Sequence, residues 1–223
     1  MPHKQQGFTL IEIAIVLVII GLLLTGVMKG QEMISNAKVK NLAADFRNYA
    51  TLVYAYQDKY RALPGDDRAA SDHLGAAAAC ARTAACSPAN PPAGLGNGRI
   101  DGVWFGAGQT DESYMVWQHL RLANLATGTP TTTAADYLPR NAEGGEIGLT
   151  GTPPVAGWAG NLFICSAGIQ GRHARQIDLM IDDGNPETGA VRAITDRSAN
   201  PQAFEAIPAG GAQDAQLYTV CAT

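Results

Sequence analysis

Apolar residues are concentrated at the start of the chain, where residues 8–28 form a run between the polar segment 1–7 and Lys29. About twenty residues, at about 1.5 Å each along a helix, span the roughly 30 Å hydrocarbon core of a bilayer. The run therefore predicts a transmembrane helix. Its single charged residue is Glu12. Because a carboxylate within lipid costs about 3 kcal/mol on insertion scales, we expect Glu12 to have a partner.

Beyond residue 28 the apolar residues become sparser, but their spacing remains helical. Side chains three and four positions apart form one stripe, with charged residues between them. This stripe predicts that the helix continues to about residue 62, packs against a sheet, and ends at Pro64 and Gly65. The members of the stripe are Val39, Leu42, Phe46, Tyr49, Val53, Tyr56 and Tyr60.

The remaining residues predict a small head whose regular structure lies mainly near its end. Residues 111–125 are expected to form a second helix, and residues 65–110 and 126–158 are expected to be mostly loops. Strand signals occur at 161–166, 176–182, 190–194 and 216–221. The expected fold class is α+β, with a long N-terminal helix packed on a small C-terminal antiparallel sheet.

Charge and motif content exclude several functions. The formal net charge is −4 and no basic cluster occurs in the head, so we expect no nucleic-acid partner. There is no GxSxG segment and no glycine-rich phosphate loop, and no nucleophile or metal partner lies near the histidines in sequence. We therefore expect a protein that is not an enzyme and uses no cofactor. The histidines are His3, His73, His119 and His173.

The four cysteines, Cys80, Cys86, Cys165 and Cys221, lack the CxxC spacing that is usual in zinc sites. An even number of cysteines beside an export signal favours disulfides, and four cysteines allow three pairings. Cys165 and Cys221 lie in strand-like runs and could be neighbours in a sheet. The preferred pairing is therefore Cys165 with Cys221, which leaves Cys80 with Cys86 in one Ala-rich stretch.

Acidic residues surround the segment 176–182 and the turn that follows it. Asp178, Asp182 and Asp183 are candidate calcium ligands, because calcium prefers carboxylate oxygens. The segment alternates apolar and polar residues, which predicts a half-buried strand followed by a solvated acidic turn. We prefer this interpretation, and so expect no metal site.

The segment Gly7-Phe8-Thr9-Leu10-Ile11-Glu12, followed by the apolar helix, resembles the type III signal of type IV pilins and type II secretion pseudopilins. The resemblance is strong over about the first thirty residues. It implies that Gly7 is the last leader residue, cut by prepilin peptidase, and that Phe8 becomes the N-methylated mature N-terminus. It also implies that Glu12 pairs with the Phe8 amine of a neighbouring subunit during assembly.

The resemblance implies four segments: a leader (1–7), a transmembrane and assembly helix (8–28), the amphipathic half of that helix (29–63) and a head (64–223). The implied partners are other pilin subunits, prepilin peptidase, the inner-membrane assembly platform and, before assembly, membrane lipid. Lys4 favours a cytoplasmic leader, which places the head in the periplasm before assembly into a pilus or pseudopilus.

The expected function is that of a structural subunit of a type IV pilus or a related filament. A head larger and richer in loops than those of the smallest pilins favours a minor pilin. The alternatives are a type II secretion pseudopilin and a pilus-borne adhesin or other binding subunit. An adhesin would use the loops at 75–110 and 126–158.

Overall fold

The computed structural model describes residues 9–75, 94–198 and 203–223. The chain divides into two compact units, Met1–Lys38 and Val39–Thr223. The helices are α1 (Leu10–Tyr60), α2 (Ala70–Leu74), α3 (Glu112–Leu122) and α4 (Gly171–Ile181), with a short 3-10 helix at Gly211–Asp214. The strands are β1 (Ile147–Thr150), β2 (Phe163–Gln170), β3 (Val191–Thr195) and β4 (Leu217–Ala222). A long N-terminal helix and a small antiparallel sheet confirm the α+β class.

The stripe on α1 is the core face of the second unit, as predicted. Its members from Val39 to Tyr56 are buried except for the half-buried Tyr49, and Tyr60 is also half-buried. They share one hydrophobic cluster with side chains of α3, α4 and the sheet. The rings of Tyr49 and Trp117 meet edge to face, with centroids 5.1 Å apart, a geometry that aromatic pairs favour.

Helix α1 ends at Tyr60, slightly before the proline and glycine that were expected to stop it. Gly65 then adopts a φ of +90°, and a Cβ there would lie 2.4 Å from the backbone oxygen of Glu112. Its N–H donates to His119 Nδ1 at 2.9 Å. Only glycine satisfies both the left-handed backbone and the close approach to α3, so Gly65 fixes the exit of the chain from α1.

Two aspartates follow this turn and attach it to distant backbone. Asp67 accepts hydrogen bonds from the Tyr56 hydroxyl at 2.7 Å and from the Ala69 N–H at 2.9 Å. Asp66 accepts from the backbone N–H groups of residues 96, 97 and 98. Burial raises the pKa of Asp66, and these N–H groups offset only part of the increase. The pair thus orders the loop that precedes α3.

The four strands form one antiparallel sheet in the order β1-β2-β4-β3. Three strands occur close to predicted positions, but β1 lies in the expected loop 126–158. The short helix α2 likewise lies in the expected loop 65–110. Within β1, a Cβ on Gly148 would lie 2.0 Å from the Trp104 backbone oxygen, so the strand is pressed against another segment. Because β1 has only four residues and depends on this tertiary contact, its sequence gives little indication of a strand.

Both faces of the sheet are buried. Ile164, Ile169 and Val220 face the cluster that includes the α1 stripe. The opposite face contributes to a second cluster, whose members are Trp104, Val155, Trp158, Phe163, Cys165, Ala167, Ile194 and Cys221. Within this cluster Cys165 and Cys221 lie directly opposite each other on β2 and β4 and form a disulfide. The disulfide is therefore part of the packed second face.

The prediction of a strand at 176–182 is wrong, because this segment belongs to helix α4. Its alternating apolar residues gave a strand pattern, but Ala174, Ile177 and Asp178 are buried with helical spacing. Leu179, expected to face inward, is 73% exposed. The spacing of three and four residues between Ala174, Ile177 and Ile181 is the helical signal that the alternation masked.

Removal of the described disulfide should destabilise the head strongly. Its two cysteines are separated by 56 positions, and a loop of that size corresponds to about 4 kcal/mol of chain entropy in the unfolded state. We expect Cys165→Ala/Cys221→Ala to lower the free energy of unfolding by about this amount in guanidinium denaturation. The unaltered chain under oxidising conditions is the control. An unchanged denaturation midpoint would show that the crosslink contributes nothing.

Candidate functional site

The start of α1 contains a capping box. The Thr9 N–H donates to Glu12 Oε2 at 2.8 Å, and the Thr9 hydroxyl donates to the same oxygen at 2.7 Å. In return, the Glu12 N–H donates to Thr9 Oγ1 at 3.4 Å. This reciprocal pattern between the N-cap and the third helical residue satisfies backbone N–H groups that have no partner within a helix. Glu12 therefore helps to begin the helix within its own chain.

Gly7 and Phe8, the expected cleavage positions, lie outside the described residues, as do Cys80 and Cys86. The cleavage site, the methylation of Phe8 and the pairing of Cys80 with Cys86 stay predictions. The intersubunit role of Glu12 is a prediction of the same standing, since the structure contains a single chain.

The first unit presents a continuous apolar surface. Between Leu10 and Ile34 the large aliphatic side chains of α1 are all exposed within the described chain. The helix is long and apolar enough to cross a membrane. A surface of this size is unfavourable in water and marks contact with lipid or with another protein. The segment thus requires a cover that the described chain does not supply.

Three glycines interrupt this apolar surface. A Cβ added at Gly21, Gly26 or Gly30 would meet no atom within 4 Å. No contact within the described chain therefore requires these glycines, and each lowers helix propensity by about 1 kcal/mol relative to alanine. Small residues allow two helices in a membrane to approach closely, so the glycines fit a surface for helix contact between chains.

A second group of functional candidates lies at the C-terminal end of α4. The carboxylates of Asp178, Asp182 and Asp183 each supply an oxygen, and these oxygens lie within 4.8 Å of one another. Asp178 is on the last turns of α4, whereas the other two follow its end. The sequence had placed these residues along a strand and a solvated turn. The helix instead folds them together, with Asp178 buried, Asp182 half-buried and Asp183 exposed.

Asp178 is in an unfavourable electrostatic position. It is 1% exposed, and neither of its carboxylate oxygens accepts a well-aligned hydrogen bond within the described residues. Burial and then the charges of Asp183 and Asp182 raise the pKa of Asp178 to about 6. The nearby Gly184 N–H lowers this pKa only slightly. The negative end of the helix dipole adds to the repulsion, and the last turn of α4 contains no basic residue.

The other two aspartates are fixed by the loop before β3. The Val191 N–H donates to Asp182 Oδ2 at 2.8 Å, and a Cβ on Gly189 would lie 1.9 Å from that oxygen. Gly189 has a φ of +75°, so glycine is required there both for the backbone and for the carboxylate. A larger residue at 189 would displace Asp182.

Asp183 is held by its own turn. Its Oδ1 accepts from the Asn185 N–H at 2.9 Å, and its Oδ2 accepts from the Thr188 hydroxyl at 2.7 Å. These hydrogen bonds, with a smaller contribution from Arg192, lower the pKa of Asp183. Asp183 is therefore a carboxylate that remains ionised beside Asp178.

Each described histidine has a hydrogen-bonding partner within the fold. A buried carboxylate or a backbone donor contacts each ring. His73 contacts Asp67 at 2.7 Å, His119 accepts from the Gly65 N–H at 2.9 Å, and His173 contacts Glu143. Glu143 also accepts from the Gln170 N–H before α4. The contact of His119 with Gly65 thus fixes the turn after α1, and the contact of His173 with Glu143 fixes the start of α4.

Comparison with known families supports the N-terminal interpretation. Residues 2–28 match the family model of the prokaryotic N-terminal methylation motif, the prepilin signal of type IV pilins and pseudopilins. The resemblance of Gly7 to Glu12 to that signal is thereby confirmed. No curated protein and no solved structure matches the chain. The chain thus carries the N-terminal signal of a type IV pilin-like or pseudopilin protein.

Thr9→Ala should weaken the start of α1. Loss of an N-cap residue costs about 1 kcal/mol, which corresponds to roughly fivefold faster exchange of the amide that it protects. We expect this acceleration at the Glu12 amide, measured by NMR hydrogen exchange on the full chain in detergent micelles. Thr51→Ala is the control, because Thr51 donates to the Arg47 backbone oxygen within α1 and caps nothing. Equal exchange in both variants would contradict the capping role.

Proposed function

We propose that the chain is a structural subunit of a type IV pilus, namely a minor pilin. The observation that carries the proposal is the methylation motif at residues 2–28, at the start of a helix whose apolar surface has no cover within the described chain. In the membrane, lipid covers this surface. In a filament, the corresponding helices of neighbouring subunits take the place of lipid. The same segment thus serves as anchor and as assembly surface.

The proposed maturation begins with cleavage between Gly7 and Phe8 by prepilin peptidase. Glycine lets the extended chain approach the peptidase closely. Cleavage creates an amine on Phe8, and methylation of that amine by the same enzyme retains its positive charge. An amine and a carboxylate are each unfavourable in an apolar interior but are tolerated as a pair. The Phe8 amine of one subunit would therefore pair with Glu12 of its neighbour and define their register.

The capping box is compatible with this second role of Glu12. The capping hydrogen bonds that Glu12 accepts both reach Oε2. A carboxylate has about four lone-pair positions on its two oxygens, so it can accept from Thr9 and from a neighbouring amine together. The cap also holds the carboxylate at the start of the helix, beside the position where a cleaved chain would begin. Local capping would therefore pre-orient Glu12 for the intersubunit pair.

The location follows from the same features. A leader that stays in the cytoplasm, favoured by Lys4, places the residues after α1 in the periplasm. The Cys165–Cys221 disulfide fits this oxidising compartment. The inner-membrane assembly platform would then extract the processed subunit into the filament.

A minor subunit is favoured over a major one by the size of the head. The second unit spans Val39–Thr223 and contains long connections, such as the one from α3 to β1. This connection belongs to the loop 126–158 that an adhesin would use, and that loop is shorter than expected because β1 occupies 147–150. A type II secretion pseudopilin shares the N-terminal signal, so the location of the assembled protein must distinguish the two.

Mass spectrometry of the N-terminal peptide tests the proposal directly. In filaments sheared from the cell surface, we expect a methylated peptide that begins at Phe8, in small amount relative to the major subunit. The membrane fraction is analysed in parallel. The processed peptide confined to membranes would favour a pseudopilin. A peptide that retains the leader in cells with active peptidase would overturn the maturation scheme.

A substitution at Glu12 can separate the effect of its charge on assembly from the effect of its capping hydrogen bonds. Gln also serves at the third position of a capping box, so Glu12→Gln removes the charge and keeps the local hydrogen bonding. We expect this variant to be processed normally but to enter sheared filaments about tenfold less, equivalent to about 1.4 kcal/mol per subunit. The readout is a quantitative immunoblot of sheared and membrane fractions.

Thr9→Ala is the matched control, because it removes the capping hydroxyl but keeps the Glu12 carboxylate and the residue 9 N–H that donates to it. It should enter filaments nearly as well as the unaltered chain. Normal incorporation of Glu12→Gln together with poor incorporation of Thr9→Ala would show that the capping hydroxyl, and not the ion pair, is needed for assembly.

A further inference from the structure

We propose that the C-terminal end of α4 binds a divalent cation of the calcium class through Asp178, Asp182 and Asp183. The site lies in the second unit, within the segment that links α4 to β3. It does not depend on the proposed role in a filament.

The first argument is the spacing of the oxygens. Calcium binds oxygen ligands at about 2.3–2.6 Å, so two ligands on opposite sides of the ion lie at most about 5 Å apart. The oxygens of the three aspartates lie within 4.8 Å of one another. This spacing is close to what three ligands of one calcium ion require.

The second argument is independent of the clustering. Asp178 is 1% exposed, its two oxygens accept no well-aligned hydrogen bond within the described residues, and it shares the cluster with the other two carboxylates. A buried ionised group normally has a partner, because removal of its water is costly. Among the described residues no ion pair with a basic side chain is formed by Asp178: the last turn of α4 has no basic residue, and Arg192 acts on Asp183. A bound cation would supply the missing partner and offset the repulsion among the carboxylates.

The ligand chemistry favours calcium over other common ions. The group contains only carboxylate oxygens, whereas zinc prefers nitrogen and sulfur ligands. Magnesium requires a tighter octahedron, with oxygens opposite each other only about 4.2 Å apart. Calcium accepts six to eight oxygens in flexible geometry, and water can complete the shell on the exposed side beside Asp183.

Neighbouring groups fix the positions of two of the aspartates. Gly189 leaves space for the Asp182 carboxylate, and the Val191 N–H fixes one of its oxygens. The Asn185 N–H and the Thr188 hydroxyl orient Asp183. A cation here would join the end of α4 to the loop that leads into β3. Its binding should therefore stabilise the second unit as well as fill the site.

Calcium binding can be measured by isothermal titration calorimetry on the full chain in detergent micelles after treatment with a chelator. We expect one saturable site in the unaltered chain. Asp178→Asn keeps the size of the side chain and removes its charge, and should weaken binding at least tenfold. Glu187→Gln is the matched control, because Glu187 is an exposed acid of the same loop outside the cluster, and it should bind normally.

Thermal melting provides a second readout that shows whether the variant is folded. Calcium should raise the Tm of the unaltered chain and of Glu187→Gln, because a ligand that binds only the folded state stabilises it. In chelator, Asp178→Asn should melt at or above the unaltered chain, since it lacks the buried charge, and it should not respond to calcium.

Two results would overturn the inference. One is the absence of saturable binding up to about 10 mM calcium, above the roughly 0.1–1 mM range of extracellular calcium modules. The other is equal affinity of Asp178→Asn and the unaltered chain. Neither measurement involves processing or assembly, so this inference and the proposed function can fail separately.

Discussion

Burial of the stripe on α1 is the interaction on which the second unit depends. Its side chains from Val39 to Tyr60 enter the same cluster as α3, α4 and one face of the sheet. Apolar burial of this kind is the main favourable contribution to folding. The sheet within the described residues has four strands, one of them only four residues long, and the helix supplies the apolar surface that stabilises it. The aspartates after α1 then secure the loops around this packing.

The sequence predicted features governed by local periodicity. The long helix, its core stripe and three strands were found because apolar spacing reports directly which side faces the interior. The strand expected at 176–182 fails because a short alternating run also fits a helix when a buried polar residue, here Asp178, lies on its inner face. β1 depends on contact with Trp104, which no local pattern encodes.

The candidate sites likewise differ in whether local sequence or tertiary packing determines them. The N-terminal segment could be recognised because its residues are consecutive, and even the cap at Thr9 and Glu12 has a sequence signal in the spacing Thr-x-x-Glu. The acidic cluster could not be recognised from the spacing of its residues in the sequence. Its aspartates converge only if α4 is a helix, and the burial of Asp178 comes from packing against distant elements.

The strand order also constrains how the head can be made. β4 pairs with both β2 and β3, so two of the three strand pairings need residues 217–222. β3 has no pairing in the described sheet without it. Before β4 is made, β1 and β2 can form only a two-stranded ribbon, which is marginal in water. The described sheet is therefore completed only when β4 is available, after its other three strands have been made.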